Sequence, residues 1–192
     1  TLAESAGRAL GSIISKFKSL KNVGYKSFAK LYKCGVIPIM TYGSSVWGFR
    51  KACEIDYIQN RAMRYFLGTH KYKPILGMEG DMGWYKPCLE RKIATLRLYN
   101  RICLMDDSRL TKCAFINDVG ICKNNWSSRV KLLLDEIGYS NQFLLRQTVP
   151  LGNISSILKE KEEQEWKTEI LRLPKLRTYR LFKTTFGVES YV

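Results

Sequence analysis

The chain has 192 residues, 45% of them hydrophobic, which is enough for one domain or two small ones and too many for a disordered tail. Lys and Arg number 32 against 17 Asp and Glu, a net charge of +15. That excludes an acidic solvating protein and points to a polyanionic partner, with nucleic acid ahead of an anionic membrane surface. No run of eighteen apolar residues occurs, so no membrane span is expected. The chain opens on Thr1 without a charged-then-apolar leader, as expected of a processed chain or a piece of something longer, working in the nucleus or cytoplasm.

The apolar period is helical almost throughout, and the expected fold is all-α, an irregular multi-helix bundle. Leu10, Ile13, Ile14, Phe17 and Leu20 share one face of a first helix, with Asn22 and Gly24 at its end. A second helix is expected from Tyr25 for nearly twenty residues, through Phe28, Leu31, Tyr32, Gly35, Ile39, Gly43, Val46 and Trp47. Pro38 should kink or interrupt it. A third helix runs from about Lys51 to Leu67 on Ile55, Ile58, Ala62, Tyr65 and Phe66, with Gly68 as its C-terminal cap.

The Gly- and Pro-rich stretch 69–83 reads as a connecting loop. The fourth helix, about Pro87 to Met105, is apolar on two sides, as a helix sandwiched between layers would be. Shorter helices follow, one carried by Val130, Leu133, Leu134 and Ile137 with Asn125 as N-cap and Gly138 beyond its end. Residues 147–153 read as a linker, and Ile154 to Leu173 as a last long helix stopped by Pro174. The expected division is a basic bundle over 1–122 and a C-terminal helical segment over 123–192.

Six cysteines, at 34, 53, 88, 103, 113 and 122, form no C-x-x-C, and His70 is the one histidine. Neither a zinc site nor any other cofactor is expected. The cysteines read as reduced, buried packing residues of an intracellular protein. Leu104-Met105-Asp106-Asp107 invites comparison with the aromatic-x-Asp-Asp motif of polymerases that copy RNA. The aromatic is missing and a helix precedes the pair, so Asp106, Asp107 and Ser108 read as helix-end and capping residues. No catalytic residue is expected.

Of the +15 net charge, +12 lies in the first 105 residues. Lys26, Lys30 and Lys33 form a stripe on the second helix, and Tyr57, Arg61 and Arg64 share a face of the third. Two cationic stripes suit a sugar-phosphate backbone, and Tyr57 could stack on a base. These six residues are the candidate site. The bland alternative is two solvated faces of a bundle. Trp47 and Trp84 read as core anchors.

Four stretches carry a resemblance. Leu31-Tyr32, Val36-Ile37-Pro38-Ile39, Tyr42-Gly43 and Val46-Trp47-Gly48 make up the first. Gln59 through Arg61, Arg64 and Leu67-Gly68 follow, then Gly80-Asp81-Met82-Gly83-Trp84, then Lys175-Leu176-Arg177-Thr178-Tyr179 with Phe182-Lys183. In this order they resemble motifs of non-LTR (LINE-type) retrotransposon reverse transcriptases, in the thumb and post-thumb region after the palm. The resemblance implies a non-catalytic part that grips RNA, DNA or an RNA–DNA hybrid, and whose other partner is the palm. Fingers, palm and endonuclease have no counterpart in this sequence. The competing expectations are a helical protein-interaction scaffold and a degenerate or domesticated fragment.

Overall fold

The computed structural model describes residues 1–20, 24–121 and 124–190. Asn22 and Cys122 lie outside the described residues. The helices, in chain order, are α1 (Leu2–Ser19), α2 (Tyr25–Gly35), α3 (Ile37–Met40), α4 (Ser44–Trp47), α5 (Cys53–Phe66), α6 (Ile75–Met82), α7 (Pro87–Cys103), α8 (Leu110–Ile121), α9 (Trp126–Glu136), α10 (Ser140–Leu144), α11 (Leu151–Arg172) and α12 (Tyr179–Phe182). A 3-10 turn, Pro174–Leu176, precedes α12. The described residues contain no strand, only an isolated antiparallel bridge between Met82 and Val188. The fold is all-α, and no described helix is long and apolar enough to cross a membrane.

The chain forms two compact units. Unit 1 holds residues 1–42, 52–87 and 161–192, and unit 2 holds 43–51 and 88–160. This differs from the expected division at 122/123. The sequence marks linkers by Gly, Pro and polar runs, whereas the change of unit at 160/161 falls inside the unbroken helix α11. Residues 147–150 are not a free linker either. Val149 is buried, its N–H donates to Asn100 Oδ1 at 2.9 Å, and Asn100 Nδ2 donates to the Val149 carbonyl at 2.7 Å.

In unit 1, α1 lies on α5 with Gly7 against the Ile58 side chain, and Tyr65 Oη donates to the Ile14 carbonyl at 3.3 Å. An aromatic core joins α2, α5 and Trp84. Phe28 stacks on Phe66 at 5.0 Å between centroids, and Tyr32 stacks on Trp84 at 4.5 Å. Trp84 Nε1 donates to Tyr25 Oη at 2.9 Å, and Tyr25 Oη donates to the Met82 carbonyl at 2.7 Å. Trp84 is thus the core anchor its sequence context suggests. The expected long second helix is instead three pieces, α2, α3 and α4. Pro38 sits in the first turn of α3, where its missing N–H is harmless, and Gly43 turns the chain with φ of 63°.

The stretch 69–83 is not simply a loop, because α6 occupies Ile75–Met82. Its glycines serve close packing. A Cβ on Gly77 would touch the Leu176 side chain at 3.5 Å, and one on Gly80 would lie 2.4 Å from Trp166 Cζ2. Helix-breaking composition here reflects neighbours that need room. Trp166, Ile170 and Leu176 close this side of the unit with Leu76, Leu173, Tyr179 and Phe186.

In unit 2, α7 buries Leu89, Ile93, Leu96, Tyr99 and Ile102 together with Arg91 and Thr95, as a sandwiched helix does. Tyr99, Phe115 and Phe143 pack ring against ring, with centroids 5.9–6.3 Å apart. Lys112 is buried and donates to the Cys103 carbonyl at 2.8 Å, neutralising the C-terminal end of α7. Asn125 caps α9 as expected. Its Oδ1 accepts from Ser128 N at 2.9 Å and from Ser127 Oγ at 3.1 Å. Asn125→Ala is expected to weaken α9 by about 1 kcal/mol, read as roughly fivefold faster amide exchange in that helix. An unchanged exchange rate would contradict the capping role.

The cysteines depart from expectation. Cys34 and Cys53 are exposed and Cys88, Cys103 and Cys113 half-buried, so none of the five is a fully buried packing residue. Helical period alone places Cys34 on the wrong side of α2, whose buried residues are Phe28, Ala29 and Tyr32. No disulfide joins the five.

Candidate nucleic-acid interface

Lys26, Lys30 and Lys33 project from α2 into solvent, off the face that buries Phe28, Ala29 and Tyr32. Among the described residues none of the three has a hydrogen-bond or ion-pair partner. Arg61 is exposed on α5, and Tyr57 keeps 61% of its surface in water. Tyr57 and Arg61 line an open groove of about 970 Å³ between α1 and α5. Arg8 of α1 joins them there, over a floor that includes Gly7 and Ile58, while Glu4 and Glu54 stand at the groove as well.

Arg64 is placed differently. It is half-buried, its Nε is enclosed without a hydrogen-bond partner among the described residues, and it does not line the groove. Nor do the α2 lysines. The structure therefore gives one lysine stripe, one arginine–tyrosine groove and a half-buried arginine. Sequence reasoning missed Arg8 as a companion of Arg61, because the pairing of α1 with α5 is a tertiary fact. Its only sequence signal was a cation lying off the apolar face of α1.

By unit, the charge is less skewed than along the chain. Unit 1 carries nineteen basic and ten acidic side chains, and unit 2 thirteen and seven. Several carboxylates of unit 1 are engaged within the fold. Asp81 is buried, with Lys73 Nζ at 3.0 Å from its Oδ2 and Tyr179 Oη at 2.7 Å from its Oδ1. Glu163 accepts from Tyr85 Oη at 2.6 Å, and Glu162 accepts from the Lys86 backbone N–H. Glu169 lies 3.8 Å from Lys86 Nζ, and Glu189 pairs with buried Lys183. Glu79 is buried, and loss of solvent pushes its carboxyl up to about 7. Lys86 works against that rise, while Glu162, Glu169 and Asp56 add to it. Half-burial disfavours the Lys86 ammonium, but Glu169, Glu79, Glu162 and Glu165 outweigh that and raise its pKa. Glu79, Asp81, Glu162, Glu163 and Glu189 are thus turned into the packing of α6, α11 and the C-terminal segment, whereas Glu4 and Glu54 stay exposed beside the α5 cations.

The resembling motifs interlock in the same way. Gln59 Nε2 donates to the Tyr85 carbonyl at 2.8 Å, Trp84 stacks on Tyr32, and Asp81 holds Tyr179. Gln59, Gly80, Asp81, Trp84 and Tyr179 form a packing frame, while Arg61, Lys175, Arg177 and Phe182 of the same motifs are exposed. His70 is exposed, its ring 5.0 Å from that of Tyr72. Asp106 accepts from Ser108 N at 2.9 Å, as a turn-capping residue does. No group of three or more metal-ligating side chains is gathered among the described residues. No family model, curated protein or solved structure matches the chain.

Proposed function

We propose that the chain is a non-catalytic nucleic-acid-binding region, of the kind that its resemblance to non-LTR retrotransposon reverse transcriptases implies. It grips RNA, DNA or their hybrid through Lys26, Lys30, Lys33, Tyr57 and Arg61, with Arg8 added and Arg64 behind them. The observation that carries this reading is the segregation of charge in unit 1. Asp81, Glu162, Glu163 and Glu189 are engaged within the fold and Glu4 and Glu54 stay exposed at the groove, while Lys26, Lys30, Lys33 and Arg61 face water without a partner among the described residues. Such a surface releases counterions when it meets phosphates.

Lys30→Glu with Arg61→Glu is expected to weaken binding to a 20-nucleotide RNA–DNA hybrid by at least about tenfold at low salt. Both side chains are exposed, so helical content should not change. Wild-type affinity in a folded double variant would remove this surface from the account.

A second reading, a protein-interaction scaffold, is favoured by Leu104, Leu110, Leu144 and Leu145, all exposed in unit 2. A pull-down that survives nuclease treatment supports it, and one abolished by nuclease counts against it.

A further inference from the structure

The segment from Arg172 to Lys183 alternates inward anchors with outward cations and apolar side chains. Leu176 is buried, Tyr179 Oη reaches the Asp81 carboxylate and the Gly77 carbonyl at 2.7 and 2.9 Å, and buried Lys183 Nζ donates to the Gly187 carbonyl at 2.7 Å. Between and beside these anchors Arg172, Lys175, Arg177 and Arg180 are exposed. Arg180 Nη1 also donates to the Leu171 carbonyl at 2.7 Å, which ties the end of α11 to α12. No acidic residue occurs between Glu169 and Glu189, and those two face Lys86 and Lys183. At the tip, Leu181 is 73% exposed and Phe182 83%, the most exposed of the described aromatic side chains.

A frayed loop could leave a phenylalanine in water by default. Here it is held out by fixed neighbours on both sides, so its exposure is built in. Apolar side chains flanked by cations are what proteins use to wedge between bases while arginines and lysines hold the adjacent phosphates. A preorganised tip also forgoes the entropy loss of ordering on contact.

We infer that Leu181 and Phe182 form a base wedge, which stacks on an unpaired or terminal base of a nucleic acid while Lys175, Arg177 and Arg180 bind the flanking phosphates. The inference rests on the nucleic-acid reading above and assigns a second contact, distinct from the α2 and α5 surface.

The test uses the full chain and a hairpin duplex with a single-stranded overhang, carrying 2-aminopurine at the first unpaired position. Binding is followed by anisotropy and base stacking by 2-aminopurine fluorescence. Wild type should change the fluorescence on binding. Phe182→Ala should abolish that change and weaken affinity roughly tenfold, whereas Phe182→Trp should preserve both. The exposed side chain makes Phe182→Ala neutral for folding, which circular dichroism checks. Binding with the same fluorescence change in Phe182→Ala overturns the wedge and leaves the nucleic-acid reading standing. No binding to the hairpin overturns both. Phe182-dependent sedimentation with anionic phosphatidylserine vesicles in place of hairpin binding would assign the patch to a membrane surface and overturn the wedge.

Discussion

Gly80→Ala is expected to destabilise unit 1 by about 2 kcal/mol, although the same change in an open helix position stabilises by a few tenths to about 1 kcal/mol. The added Cβ would stand 2.4 Å from Trp166 Cζ2 and 2.8 Å from Tyr179 Oη. Neither ring can retreat freely. Trp166 Nε1 donates to the Leu76 carbonyl at 2.8 Å, and Tyr179 is held by Asp81. Retreat of either ring breaks a partly buried hydrogen bond, and staying compresses the core. Thermal denaturation should show a fall in Tm on the order of 5 °C. Gly11→Ala is the control, since nothing lies within 4 Å of its added Cβ in α1. It should leave Tm unchanged or slightly raised. Equal effects at the two positions would contradict the close packing of α6 against Trp166 and Tyr179.

The second large effect is a pH dependence centred on Glu79. Burial, with Glu162, Glu169 and Asp56 contributing, lifts its carboxyl from an ordinary 4.5 to about 7 in the folded protein. The folded state therefore favours the protonated form. This stabilising contribution is complete below about pH 4.5 and is lost as pH rises through about 7, an effect of about 3 kcal/mol. Glu79→Gln keeps the shape and removes the ionisation. Its Tm should match wild type near pH 4 and exceed it by several degrees at pH 8.5, with most of the divergence between about pH 4.5 and 7. A gap that stays constant across that range would contradict a buried, titrating Glu79.

The all-α class, the ends of α5 and α7, the Asn125 cap and the glycine stops at Gly68 and Gly138 were legible in the sequence because they depend on local signals, namely apolar period, cap chemistry and positive φ. What was not legible depends on partners distant along the chain. Gly77 and Gly80 look like loop residues until Leu176, Trp166 and Tyr179 are seen against them. The division into units is invisible because α11 runs through it without a break. At the candidate site, the exposure of Lys26, Lys30, Lys33 and Arg61 followed from helical phase. The half-burial of Arg64 and the arrival of Arg8 beside Arg61 did not, since both depend on how helices pair.

The inward use of carboxylates was also hidden. Nothing along the sequence says what Glu162, Glu163 and Glu169 meet. In the fold, Glu162 and Glu163 accept hydrogen bonds from Lys86 and Tyr85, and Glu169 lies near the Lys86 ammonium. Net charge counted by segment therefore does not tell the carboxylates engaged within the fold from those, such as Glu4 and Glu54, that stay exposed at the groove.

The account rests on the α2 lysine stripe and the α5 groove meeting phosphates, and a salt titration of binding tests it most directly. Fluorescence anisotropy would be measured with an RNA–DNA hybrid, duplex DNA and single-stranded RNA of equal length, from 50 to 300 mM salt. The account predicts binding to the hybrid or duplex ahead of the single strand. The logarithm of affinity should fall linearly with the logarithm of salt, with a slope near −0.9 for each phosphate neutralised, and Lys30→Glu with Arg61→Glu should reduce that slope by about two units. Absence of binding at 50 mM salt, or a slope that the double variant leaves unchanged, would contradict it.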